Sequence, residues 1–62
     1  MLKELDVVRA ARDISDVIGK DCIGVILLVY SKPTIAYEVE FFDDEHNTIG
    51  ILPVQPNDIE LR

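Results

Sequence analysis

The only histidine of this 62-residue sequence lies among acidic residues, and this segment is the first place to look for chemistry. His46 follows Asp43, Asp44 and Glu45, and these residue types bind metal ions and exchange protons. A metal centre needs several ligands, however, and the only cysteine, Cys22, lies far from this segment in the sequence.

A calcium loop is not predicted in this segment either. An EF-hand loop needs glycine at its sixth position and glutamate at its twelfth. Counted from Asp43, those positions hold Thr48 and Val54. We therefore interpret residues 43–47 as a solvated hairpin tip, and we expect no metal and no cofactor.

Cys22 and the pair Glu38 and Glu40 are the remaining candidates for catalysis. A cysteine nucleophile needs a base beside it, and the spacing of Cys22 and His46 suggests no such pair, so we expect Cys22 to be a small buried residue. Residues i and i+2 of a strand meet the separation of glycosidase carboxylates, but so small a domain offers no substrate-sized cleft. The sequence therefore favours a protein that is not an enzyme.

The alternation of apolar and charged residues predicts β-strands. It is clearest where Tyr37, Val39 and Phe41 alternate with Glu38 and Glu40. Five short strands are too few for an ordinary sandwich, and they predict an all-β single domain over residues 1–62, closed into a small, strongly bent barrel. The predicted strands are 5–11, 22–30, 35–42, 47–52 and 58–61, with a loop at 12–21 and a hairpin loop at 43–47.

Smaller features complete the predicted fold. Asn47 is expected to adopt the left-handed backbone conformation that hairpin loops often need. Ile14, Val17 and Ile18 have helical spacing, which predicts one helical turn or an irregular loop with its apolar side chains turned inward. The predicted core consists of Leu5, Val7, Ile23, Val25, Leu27, Tyr37, Val39, Phe41, Ile49 and Ile51.

The composition is acidic and the charge is unevenly distributed. The chain has 12 Asp and Glu against 6 Lys and Arg, a formal net charge of −6. Residues 1–32 carry equal numbers of acidic and basic side chains, so the whole excess lies in residues 33–62. Such a surface attracts basic partners and repels nucleic acid.

The sequence also bears on the expected compartment. One cysteine cannot form an internal disulfide, which favours a reducing environment. No signal-peptide pattern is evident at the N-terminus, and the longest apolar run, residues 25–30, is far shorter than the roughly 20 residues of a membrane span. We expect a cytoplasmic protein that does not associate with membranes.

The order of these segments resembles a known family. The matching pieces are LDVV at 5–8, GKD at 19–21, GVI at 24–26, YEVEF at 37–41 and Thr48. Together they are similar to DUF4926, a family of small bacterial proteins of unknown function. The resemblance covers almost the whole chain and implies a five-stranded SH3-like barrel with no catalytic residues. Some family members are encoded beside candidate toxins, so the resemblance also implies an antitoxin or immunity role.

Two positions depart from the pattern of that family. Members usually carry Gly-Thr where this chain has Gly24 and Val25, and glycine where it has Asn47. Valine suits a strand and asparagine suits a left-handed turn, so neither change argues against the implied fold.

Phe42 connects the predicted fold to a function. It has the strand parity of Glu38 and Glu40, which places an aromatic side chain beside acidic ones, a combination that suits binding to a basic protein. The alternative is that Phe42 covers one open end of the barrel, since single exposed apolar side chains are common. We therefore predict a non-catalytic protein-binding module whose partner is a basic protein, with a toxin as the partner that the resemblance implies. The predicted binding residues are Glu38, Glu40, Phe42, Asp43, Asp44 and Glu45.

Two alternatives stay open. SH3-like barrels also bind nucleic acid, and Arg9, Arg12 and Lys20 could form a basic patch, although acidic residues lie near each of them in the sequence. The other alternative is an assembly or subunit module, in which an uncovered sheet edge pairs with another chain or with a second copy to form a homo-oligomer.

Overall fold

Five antiparallel strands form a single sheet in the computed structural model, which describes all 62 residues. The strand order is β4-β3-β2-β1-β5. The prediction of an all-β fold with five strands is confirmed, and the architecture is consistent with a small SH3-like fold. The elements are β1 (Val7–Ala10), β2 (Ile23–Tyr30), β3 (Ala36–Phe42), β4 (Thr48–Val54), a 3₁₀ turn (Pro56–Asp58) and β5 (Ile59–Leu61).

The sheet is open, although the predicted barrel was closed. Strands β4 and β5 lie at opposite ends of the strand order and do not pair with each other. Each end therefore keeps a free edge, and part of the core has to be covered by loops. None of the helical structure is long and apolar enough to cross a membrane.

Strand β3 defines the two faces of the sheet. Tyr37, Val39 and Phe41 are buried on what we call the inner face, as predicted, while Glu38 and Glu40 are half-buried on the outer face. The charged residues fixed the parity of this strand, because an unpaired carboxylate is costly to bury in an apolar core.

The predicted parity of β1 is wrong. Val8 and Ala10 are fully buried on the inner face, whereas Val7 points outward and is 39% exposed. The prediction relied on Leu5, which precedes the strand in a turn, has φ of 70° and is 75% exposed. With Leu5 outside the strand, the adjacent residues Val7 and Val8 are both apolar, and the sequence does not show which of them faces the core.

Strand β2 also differs from the prediction, because Gly24 and Ile26 face the core while Ile23 and Val25 are only partly buried. The continuous apolar run contains no polar residue to fix its parity. The pairing with β3 also shifts register between Ile26 and Leu28, which leaves Leu27 as the extra, partly buried residue of a bulge.

The outward position of Ile51 corrects another predicted core residue. In β4, Val54 is buried, Ile49 and Leu52 are partly buried against the core, and Ile51 is 53% exposed. Gly50 faces the interior, since a Cβ there would lie 3.1 Å from the Cδ1 atom of Ile18.

The segment between β1 and β2 is an irregular loop that covers the inner face. Ile18 is 2% exposed and joins the core cluster, with Ile14 packed against it, whereas Val17 points to solvent against expectation. The Ser15 Oγ accepts a hydrogen bond from the Ile18 amide at 3.1 Å, and Asp13 Oδ1 accepts one from the Lys20 amide at 2.8 Å. The loop is therefore held in shape by its own polar side chains.

Gly24 allows β2 and β3 to approach closely, and its substitution tests the packing. A Cβ at this position would lie 2.6 Å from Val39 Cγ1 and 3.0 Å from the Glu40 carbonyl oxygen. We expect Gly24→Ala to lower the free energy of unfolding by about 1–3 kcal/mol, as overpacking does. Gly19→Ala is the control, because its nearest contact is 3.5 Å and a change within about 0.5 kcal/mol is expected. Equal effects in urea denaturation would contradict the packing described.

Candidate functional site

Asp43 organises the hairpin between β3 and β4. Its Oδ1 atom accepts hydrogen bonds at 2.9 Å from the amides of Glu45 and Asn47. Its Oδ2 atom accepts one at 3.3 Å from the Asn47 side chain. The hydrogen bond from the Asn47 amide, together with the other donors, holds the pKa of Asp43 below its ordinary value. Asp43 therefore has a structural task as well as a negative charge.

His46, and not Asn47, adopts the left-handed conformation in this loop, with φ of 66°. The prediction for Asn47 is wrong because its amide and side chain both bind back to Asp43. The preceding residue therefore makes the turn. Asp44 and Glu45 are exposed at the tip.

The chain contains no group of three or more His, Cys, Asp and Glu side chains placed to hold a metal ion. Asp44, Glu45 and His46 of this hairpin are all exposed.

Glu38 and Glu40 each lie between apolar neighbours on the outer face. Glu38 pairs across the strands with Leu28 and Pro53. Glu40 pairs with Val25 and Ile51.

Neither glutamate has a cationic partner within the chain. The three ion pairs of the molecule lie elsewhere. Glu40 accepts a hydrogen bond from the Thr48 hydroxyl, whereas no side chain donates to Glu38. The carboxylates of these two partly buried residues are thus left without a counter-charge.

Exposed apolar side chains lie near these glutamates on the outer face. The sequence did not predict that these side chains would be exposed. Leu28 is 48% exposed, and Val7, Tyr30 and Ile51 also exceed a third. The continuous apolar run of β2 carried the signal, because a strand of an open sheet with one covered face turns half of such a run outward. The sequence did not show which alternate residues of this apolar run face outward.

Phe42 lies at the junction between the outer face and a groove. The groove is open to solvent, has a volume of about 560 Å³, and is lined by both predicted and unpredicted residues. Phe42, Asp43 and Asp44 line it from the hairpin side, and Lys20 and Arg62 bring positive charge to it. Phe42 is half-buried there and is not a fully exposed anchor.

Cys22 also lines this groove. We expected a buried residue at this position, but Cys22 is only partly buried. Its thiol donates a hydrogen bond to the Phe42 carbonyl at 3.3 Å. Burial raises the pKa of the thiol, so the protonated form prevails at neutral pH. This environment suits packing and does not activate a nucleophile.

Two of the three predicted basic-patch residues are held in ion pairs. Arg9 Nε donates to Glu60 at 2.8 Å across β1 and β5, and this hydrogen bond raises the pKa of the guanidinium. Arg12 Nε donates to the nearly buried Asp58 at 2.8 Å. Lys20 forms no ion pair. The acidic partners come from the last strand and the turn before it, rather than from the sequence neighbours considered first.

The predicted binding residues therefore occupy two adjoining regions, the outer face of the sheet and the hairpin between β3 and β4 with the groove beside it. Glu38 and Glu40 belong to the outer face, Asp43 and Asp44 line the groove, and Glu45 lies at the tip of the hairpin. Phe42 lies where the two regions meet.

The fold and these surfaces define a small antiparallel all-β domain with an open sheet and an acidic, partly apolar outer face. A family described as "Domain of unknown function (DUF4926)" matches residues 4–61, and the chain belongs to this family. No curated protein matches the chain at a significant level, and no solved structure does so.

The role of Asp43 predicts a pH dependence of stability. Because its pKa in the folded state lies below the ordinary 3.8, its stabilising contribution is present above that value and is lost as pH falls through the folded pKa. Asp43→Asn keeps one carbonyl oxygen but no charge, so we expect a lower Tm at neutral pH and a gap to wild type that closes in acid. Thermal melts at several pH values measure this gap.

Asp44→Asn is the matched control for this measurement. Asp44 is exposed on the same hairpin and receives no hydrogen bond. The substitution Asp44→Asn therefore removes the same charge as Asp43→Asn but leaves the hydrogen bonds of the loop in place. A Tm change as large as that of Asp43→Asn would show that general charge repulsion, and not the geometry of the loop, determines the effect.

Proposed function

We propose that this chain is a non-catalytic protein-binding module of the cytoplasm that engages a basic protein through its outer face and acidic hairpin. The specific form of the proposal is an antitoxin or immunity protein that covers a basic toxin. The observation that carries the proposal is the setting of Glu38 and Glu40: both residues have apolar cross-strand neighbours, and neither carboxylate has a cation partner in the chain.

The electrostatics of the surface support this proposal. A cation supplied by a partner would find two carboxylates that no cation of the chain already pairs, and opposite charges across an interface favour binding. The surrounding Leu28 and Ile51 add apolar area that a partner would remove from water,. The excess negative charge of the second half of the chain speeds the encounter with a basic protein.

A charge-reversal variant tests the proposal. We expect Glu38→Lys with Asp44→Lys to lower the affinity for the basic partner by at least about tenfold, because both attraction and local pairing are removed. The matched control is Glu4→Lys with Asp16→Lys, which changes the net charge equally at two exposed positions far from β3 in the chain. The measurement is recovery of basic proteins on the tagged protein from its native cells, at low and at high salt.

The outcomes of this experiment are distinct. A basic partner that is retained by the control and lost from the Glu38 and Asp44 variant supports the proposal. Equal retention by both variants, or no basic partner at low salt, contradicts it. For the antitoxin form, the partner expressed alone has to arrest growth, and co-expression of this chain has to relieve the arrest.

Assembly through a sheet edge is the second candidate, and the free edge of β4 favours it. An exposed strand edge can pair with another chain. Pro53 weakens this edge because it lacks an amide donor,, and β5 has only three residues. Light scattering that shows a strict monomer at all concentrations would remove self-association from consideration.

Nucleic-acid binding receives less support from the structure. The charges of Arg9 and Arg12 are already offset by Glu60 and Asp58, which leaves Lys20 as the one residue of the predicted patch without an ion pair. A sparse patch on a chain with a net charge of −6 is poorly suited to a phosphate backbone.

A further inference from the structure

The outer face has a regular layout that restricts what can bind it. One cross-strand row runs Ile51, Glu40, Val25 and Val7, from β4 to β1. A second row runs from Pro53 through Glu38 to Leu28. Each carboxylate therefore lies in line with apolar side chains on both sides.

This face offers a partner side chains but no backbone groups. Strand β3 pairs with β2 and β4 along its length, and β2 pairs with β3 throughout and with β1 at residues 23–25. These hydrogen bonds lie in the plane of the sheet, so none of the backbone groups points out of its face. A bound segment consequently has to satisfy its own backbone hydrogen bonds, which an α-helix does and a single extended strand does not.

From this layout we propose that the partner binds the outer face with an amphipathic α-helix that carries two basic residues at positions i and i+4, flanked by apolar residues. The inference rests on the proposed function, and it specifies both the surface and the element that binds there. The two basic residues pair with Glu38 and Glu40, and the flanking apolar residues cover Val7, Leu28 and Ile51.

The dimensions of the two elements agree. Residues i and i+2 of a strand are separated by about 7 Å, and residues i and i+4 of a helix rise by about 6 Å along one side. The four strands from β4 to β1 span about 14 Å at the usual strand spacing, which accommodates a helix of about 10 Å diameter. One helix can therefore reach both carboxylates and the apolar residues beside them.

Other occupants fit this face less well. A second copy of the chain, placed face to face, would bring four uncompensated carboxylates together, and such like-charge contacts are unfavourable. An added strand would extend the sheet in its own plane, at the β4 edge or beside residues 27–30 of β2, and would leave Glu38 and Glu40 uncovered. Nucleic acid would be repelled by Glu38 and Glu40.

The hairpin has a different task in this arrangement. The Asp43 carboxylate is occupied by hydrogen bonds within the loop, and Asp44 and Glu45 are exposed at its tip. These residues attract a basic partner over a distance of about one Debye length, while the outer face makes the close contact.

Two helical peptides of identical composition test the inference. The probe is an alanine-based helix of about four turns with two arginines at i and i+4 and leucines on the same side. In the isomer, the arginines are at i and i+2 and face different sides. We expect the probe to bind about tenfold more tightly and to shift the amide resonances of Val25, Leu28, Glu38, Glu40 and Ile51 in ¹⁵N spectra of the intact chain.

Two double variants separate the roles of the face and the hairpin. We expect Glu38→Gln with Glu40→Gln to weaken the probe about tenfold, and Asp44→Asn with Glu45→Gln to weaken it by less than about threefold, since distant exposed charges contribute little. The wild-type dispersion of the ¹⁵N spectra confirms that each variant is folded.

Three outcomes would overturn the helix inference: equal binding of both peptides, resonance shifts confined to residues 43–46 and the groove, or no binding of either peptide at millimolar concentration. None of these outcomes touches the proposed function, which fails separately if no basic partner is retained by the wild-type protein. A basic partner whose footprint lies on the hairpin alone would remove both the helix and the outer-face part of the proposed function, and would leave only binding through the acidic hairpin.

Discussion

The inner face of an open sheet has to be covered, and much of the structure follows from how this chain covers it. Strands β4 and β5 do not close against each other, so Ile18 reaches from the loop between β1 and β2 into the core. Gly50 leaves room for that side chain, and Ser15 fixes the backbone that carries it. A domain of this length buries only about 60% of its unfolded surface, so a large share of its apolar residues stays in contact with water.

The outer face is what this arrangement leaves exposed. In a two-layer protein a second sheet or helix would cover it, and its apolar residues would then belong to the core. Here Val7, Leu28 and Ile51 stay in contact with water, and Glu38 and Glu40 keep the face from being wholly apolar. The same two carboxylates oppose face-to-face pairing of identical chains, and in the proposed function they pair with the basic residues of a partner.

The sequence predicted strand positions well and strand faces poorly. In β3 the glutamates fixed the parity, and Tyr37, Val39 and Phe41 were assigned correctly. In β2 a continuous apolar run allowed either parity, and only the packing of Gly24 against β3 decides it. The ion pairs of Arg9 and Arg12 join residues about 50 positions apart in the chain, a separation that local sequence patterns do not report. The placement of the acidic residues on β3 and its hairpin was therefore predicted, but their apolar neighbours across the strands were not.

The parity errors have a functional consequence. With Val7, Val25 and Ile51 in the core, the outer face would have been a solvated acidic surface, able only to attract a partner from a distance. With these residues outside, the same glutamates lie beside apolar groups that gain from being covered. In the proposed complex, the two paired charges would give the contact its direction and the burial of apolar area would add to its affinity.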